Sequence, residues 1–157
     1  MDERSHGRDR NVHGVAAAVD IVDAYLDALP GESRRTAHAE WGVTVAAEHA
    51  GGWPLDVGVR IADGLLTAKA HALSDPEHVD PWMLLWWNRS TRHVRFGCTQ
   101  AKEIWVHADL TAANVDEREL DRLLGLVVEA AIAVRGFQQA KREPPPSNGG
   151  GWLPSEA

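Results

Sequence analysis

Apolar residues first recur at helical spacing, as Val15, Val19, Val22, Leu26 and Leu29, while Asp20, Asp23 and Asp27 point elsewhere. That period predicts an amphipathic helix, and Pro30-Gly31 predicts its end. The period then drops to two. Trp41, Val43, Val45 and Ala47 alternate with Gly42, Thr44 and Ala46. After the turn residues Gly51-Gly52-Trp53-Pro54, Leu55, Val57, Val59 and Ile61 alternate with Asp56, Gly58 and Arg60. Ala62-Asp63-Gly64 predicts a tight hairpin into a third strand, Leu65 to Ala72.

The segment Asp80-Pro81-Trp82-Met83-Leu84-Leu85-Trp86-Trp87-Asn88-Arg89 follows a Ser74-Asp75-Pro76 loop. It carries a helix start: Asp80 as cap, Pro81 at the first turn, and Val79 stapling onto Leu84. Yet it has no polar face. A surface helix normally shows one apolar stripe, so this one is expected to be covered on two sides. A second hairpin follows. Val94, Phe96 and Cys98 share one face of its first strand, and Ile104, Val106 and Ala108 one face of its second. Asp116 with Glu119 forms a capping box, and Leu120, Leu123, Leu124, Val127, Val128 and Ala131 make the buried stripe of a last helix. Gly136 is its expected stop.

The expected order is α-β-β-β-α-β-β-α. Successive hairpins imply a largely antiparallel, five-stranded sheet packed with helices, an α+β sandwich. Residues 1–14 are polar and read as a flexible N-terminus, residues 15–136 as a single domain, and residues 137–157 as a helix end and a disordered tail. The tail from Glu143 (EPPPSNGGGWLPSEA) is rich in Pro, Gly and Ser. Its Trp152-Leu153-Pro154 is the one segment there able to dock on an apolar groove.

Composition narrows the function. With 157 residues and ordinary apolar content the chain can bury a real core. A net charge of −7 argues against nucleic acid and against anionic membrane surfaces as partners. No apolar run is long enough to span a membrane, and residues 1–14 lack a signal-peptide core, so a cytoplasmic protein is expected. The single Cys98 leaves no disulfide within the chain and no paired-cysteine metal site, and its inward position reads as a small buried hydrophobe. His107-x-Asp109 could offer two ligands on one strand face, but zinc spacings are missing. No nucleophile motif is present, and Gly149-Gly150-Gly151 lacks the Lys-Ser/Thr of a phosphate loop. No cofactor and no metal are expected.

Two surfaces remain as candidates. Seven Trp against one Tyr and two Phe make the middle helix the first. Trp is favoured at interfaces, and Trp82, Met83, Trp86 and Trp87 are the expected dimer or client contact. The second is the outward face of the sheet. If Val57, Val59 and Ile61 face the helices, then Arg60, Lys69, His71, Trp105 and His107 face out, with Trp105 as an apolar anchor among charges for a peptide.

The order of elements resembles the type III secretion chaperone and YbjN-like superfamily. Trp41 opening a strand, Ile61-Ala62-Asp63-Gly64-Leu65, Leu84-Leu85-Trp86-Trp87-Asn88, Val94-Arg95-Phe96-Gly97 and the Asp116-to-Val134 helix carry the resemblance. It implies a small, acidic, non-enzymatic homodimer that binds an extended segment of a client protein, with the middle helix contributing to the dimer contact. The strong aromatic character of that helix and the Pro-rich tail depart from the pattern. A small-molecule binder or enzyme, with a pocket between sheet and helices, is the alternative.

Overall fold

A computed structural model describes residues 3–142, with side chains described from residue 14 onward. Helix α1 spans Glu3–Ala28, followed by strands β1 (Glu32–Ala37), β2 (Glu40–Val45), β3 (Leu55–Ala62) and β4 (Leu65–Leu73). Helix α2 (Pro81–Ser90) leads to β5 (Val94–Cys98) and β6 (Ile104–Thr111), and α3 (Glu117–Arg142) closes the described chain. The strands form one sheet in the order β1-β2-β3-β4-β6-β5, every neighbouring pair antiparallel.

The α+β architecture is the expected one, with six strands rather than five. The added strand is β1. Its sequence, Glu-Ser-Arg-Arg-Thr-Ala, lacks apolar alternation because it is an edge strand that is mostly exposed. Helix α1 also begins earlier than Val15, at Glu3. The tail from residue 143 lies outside the described residues.

Local signals act where expected. The Asp80 carboxylate accepts a hydrogen bond from the Trp82 N–H at 2.9 Å, and that of Asp116 from the Glu119 N–H at 2.8 Å. Val79 and Leu84 are both buried, as a staple requires. Asp63 and Gly64 both have positive φ, 52° and 76°, the turn that joins two adjacent antiparallel strands most tightly. Val57, Val59 and Ile61 stand opposite Ala70, Ala68 and Leu66 across the β3–β4 pair, and all six are buried, as are Leu55 and Ala72. With Val106 and Ala108 they meet Val22 and Leu26 of α1 and Leu120, Val127 and Val134 of α3. The helices therefore cover one face of the sheet, and among the described residues none covers the other.

Asp23 fastens the β1–β2 hairpin to α1. Its carboxylate accepts from the Trp41 indole N–H at 2.6 Å and from Arg35 at 2.9 Å. Arg135 is the largest fully buried side chain, on α3. Its guanidinium donates to the carbonyl oxygens of Ala50, Ala72, Trp53 and Pro54 and lies 4.5 Å from the Trp53 ring centroid. Burial pushes its pKa down from the ordinary guanidinium value. The Gly51–Pro54 loop carries backbone acceptors that no strand satisfies, and this cation supplies the donors.

Candidate functional site

Helix α2 divides its apolar residues between two faces. Leu84 is buried, and Met83 and Trp87 are partly buried against the core. Trp87 lies 5.6 Å from the ring of Phe96 and 5.9 Å, edge to face, from that of Phe137. On the opposite face Trp82, Leu85 and Trp86 are 77%, 58% and 66% exposed. They stand at i, i+3 and i+4, a continuous stripe on one side of the helix. One side of α2 is therefore covered by the chain's own core, and the other is bare. Of the four residues expected at an interface, Trp82 and Trp86 lie in the stripe, while Met83 and Trp87 turn toward the core. Leu85 completes the stripe. Its place follows from helical spacing, but its neighbours Leu84 and Trp86 hid it in a run that is apolar throughout.

Beyond α2, the side-chain amide of Asn88 holds strand β5. It donates to the Phe96 carbonyl at 2.9 Å and accepts from the Phe96 N–H at 2.7 Å. The Thr91 hydroxyl donates to the Val94 carbonyl at 2.6 Å. The outer edge of β5 is thus occupied by side chains over these two residues. At the other end of the sheet, β1 pairs with β2 on one side, and among the described residues no strand pairs with its outer side.

The uncovered sheet face brings the second set together. Register places Thr67 opposite Asp109, Lys69 opposite His107, and His71 opposite Trp105. The His71 and Trp105 rings are 5.1 Å apart at their centroids. The indole N–H of Trp105 donates to Glu103 at 3.3 Å. Arg60 pairs with Glu40 at 3.1 Å, two strands away from the His107 row. A shallow trough of about 790 Å³ runs across this face, bordered by Arg34, Arg60, Lys69 and Trp105. Gly42 stands opposite Gly58 in its floor, and the Arg34 guanidinium lies over Gly42, 3.6 Å from where a Cβ would stand.

Electrostatics here are mixed. Arg95 and Asp109 form an ion pair, and the Thr67 hydroxyl donates to the same carboxylate at 2.9 Å. With Asp109 so engaged, His107-x-Asp109 does not present two spare ligands. Among the described residues no three metal-ligating side chains converge. The pKa of His107 lies below its ordinary value, first because of burial and then because of Lys69 and Arg95, with Asp109 opposing. Cys98 was expected to be buried and is exposed. It ends β5, beyond the stretch where Val94 and Phe96 tuck under the helices.

The resemblance read from the sequence is matched by comparison with known proteins. A family model described as "Putative bacterial sensory transduction regulator", YbjN, matches residues 64–135, from the β3–β4 turn into α3. Among solved structures, the chain is similar to one in the Yersinia pestis type III secretion chaperone SycH in complex with a stable fragment of YscM2. The TM-score is 0.60 at 15% identity, covering 74% of this chain and 98% of that one. It is similar to one in the HopA1–SchA chaperone–effector complex, with a TM-score of 0.55 at 12% identity, covering 83% and 96%. YbjN from E. coli gives a TM-score of 0.57 at 16% identity, covering 78% and 92%. At these identities the likeness is one of fold. No curated protein matches the sequence.

Proposed function

We propose that this chain is a non-enzymatic chaperone or adaptor, cytoplasmic and homodimeric, that binds an extended segment of a client protein. The observation that carries the proposal is the bare Trp82–Leu85–Trp86 stripe on a helix whose other side is already packed. Two indoles and a leucine side by side in water are unfavourable unless a partner covers them. A second copy can do so with the same stripe, since a two-fold interface is self-complementary. The fold shared with chaperones caught in complexes with an effector or a chaperone-bound fragment favours a protein client.

The client would lie on the uncovered sheet face. Trp105 stacked with His71 offers an apolar anchor, and Arg60, Lys69 and His107 offer polar contacts around it. Main-chain pairing is available at β1, whereas Asn88 and Thr91 occupy β5. An enzyme or metabolite binder would need convergent polar groups in an enclosed pocket. The cleft between α1, β2 and α3, about 610 Å³, is lined by Glu32, Ser33, Thr44 and His49 besides Tyr25 and Asp121; Tyr25 is bonded to Asp121 at 3.0 Å, Ser33 to the Leu26 carbonyl and Thr44 to Asp56.

The experiment is recovery of the chain from its native host with whatever is bound, followed by crosslinking to map the contact. A polypeptide crosslinked at Lys69 and lost in Trp105→Ala is the expected result. A tightly held metabolite with no polypeptide would overturn the proposal in favour of the small-molecule binder.

A further inference from the structure

Pairing register draws one straight row across every strand of the sheet. Arg34 of β1 stands opposite Gly42 of β2, Gly42 opposite Gly58 of β3, and Gly58 opposite Lys69 of β4. Lys69 stands opposite His107 of β6, and His107 opposite Arg95 of β5. The row lies on the sheet face that the helices leave uncovered. It holds basic side chains and glycines and no carboxylate, in a chain with 23 acidic against 16 basic residues.

Carboxylates do stand in the rows on either side, but the nearest are engaged. Glu40 pairs with Arg60, Asp109 with Arg95 and the Thr67 hydroxyl, and Asp56 accepts from Thr44 at 2.6 Å. Arg34 and Lys69 are exposed and make no ion pair among the described residues. An exposed cation needs no partner in water. What sets this pair apart is the gap between them. The Arg34 guanidinium is folded over Gly42, and a Cβ on Gly58 would meet only the Lys69 carbonyl, at 3.9 Å. From β2, where the guanidinium lies, to β4 is two strand spacings, roughly 10 Å. An Asp or Glu side chain entering over Gly58 would have a cation on each side.

The other end of the row repeats this chemistry. Thr67, Lys69, Arg95, His107 and Asp109 border a hollow of about 410 Å³. Burial first, and then Lys69, pushes the His107 pKa below its ordinary value; Asp109 opposes the shift and Arg95 adds to it. The cations therefore outweigh the carboxylate already there, and a further carboxylate would be attracted. From Arg34 to Arg95 the row spans five strand spacings, roughly 24 Å, the length of about seven extended residues.

We infer, granting that a client lies on this face, that the segment it presents is acidic. Carboxylate side chains of one extended stretch enter the Gly58 gap between Arg34 and Lys69 and the hollow beside Lys69, His107 and Arg95. Trp105, two residues before His107 on β6, takes an apolar side chain of the same stretch. The chain as a whole carries a net charge of −7, so non-specific attraction would favour basic segments. A preference for acidic ones belongs to the row.

The test is selection of nine-residue peptides from a random library on the immobilised full chain. Enrichment of Asp and Glu is the expected result. The best acidic peptide, made synthetically, should bind the Arg34→Gln, Lys69→Gln double variant about tenfold more weakly than the wild type. Lys69→Arg should bind it as the wild type does. Circular dichroism and thermal melting show that the double variant is folded, as two exposed positions allow. Peptides enriched for Lys and Arg, or without regard to charge, overturn the acidic segment; if Trp105→Ala abolishes their binding, a client on this face still stands. Acidic peptides that bind the double variant as tightly as the wild type overturn the role of the row. A mixed-sequence single-stranded oligonucleotide that displaces them and binds more tightly overturns a protein occupant. Enrichment of no peptide at all overturns the client and the acidic segment together.

Discussion

Asn88 pairs with Phe96 as a neighbouring strand would, donating to its carbonyl and accepting from its N–H. Helix α2 thereby replaces a seventh strand over part of the β5 edge. Replacing Asn88 by Asp keeps the shape and removes the donor. It sets a carboxylate oxygen against the Phe96 carbonyl. The expected cost is roughly 1–3 kcal/mol, read as a lower midpoint in urea unfolding with an unchanged slope.

Arg135 donates to the carbonyls of Ala50, Trp53, Pro54 and Ala72. Arg135→Met keeps much of the apolar stem and leaves those acceptors without their donors. It should lower stability by about 2–4 kcal/mol. Arg135→Lys should recover only part of the loss, because an ammonium cannot fork to several carbonyls at once. Denaturant unfolding of both variants measures the difference.

These two residues also mark the boundary of what the sequence discloses. Asn88 stood in a segment that carried the family resemblance, but its pairing depends on where β5 passes. Arg135 sits on the buried stripe of α3, where helical periodicity asks for an apolar residue. Only the distant carbonyls that surround it explain a charge there. By contrast, the Asp80 and Asp116 caps, the Asp63-Gly64 turn and the alternation of β3 depend on neighbours in sequence, and each forms as read. Strand β1 was invisible because an exposed edge does not need apolar alternation. The outward set of Lys69, His71, Trp105 and His107 was legible from alternation alone. The split of α2 into a packed face and a bare face was not, since every side of it is apolar.

Tyr25 is the only tyrosine, so phenolate absorbance reports it alone. Its pKa is pushed up to about 12, first by burial and then by its hydrogen bond to Asp121 and the charges of Asp121 and Glu117. A raised folded-state pKa means that the fold favours the neutral phenol. That contribution is fully present below the ordinary value of 10 and is lost as pH rises through about 12. An absorbance titration should show the folded chain ionising near the higher value and the urea-unfolded chain near the lower. Coincident curves would remove the Tyr25–Asp121 contact from solution.

The bare stripe of α2 gives the account its most direct test. Trp82→Glu with Trp86→Glu is the informative variant, because both side chains are exposed and neither supports the core. Trp87→Glu would instead disturb the packing with Phe96 and Phe137. Sedimentation equilibrium of the full chain over a wide concentration range should give twice the 17.2 kDa chain mass for the wild type. The double variant should give the mass of one folded chain. A wild-type protein that sediments as a single chain at every concentration would contradict a dimer built on Trp82, Leu85 and Trp86.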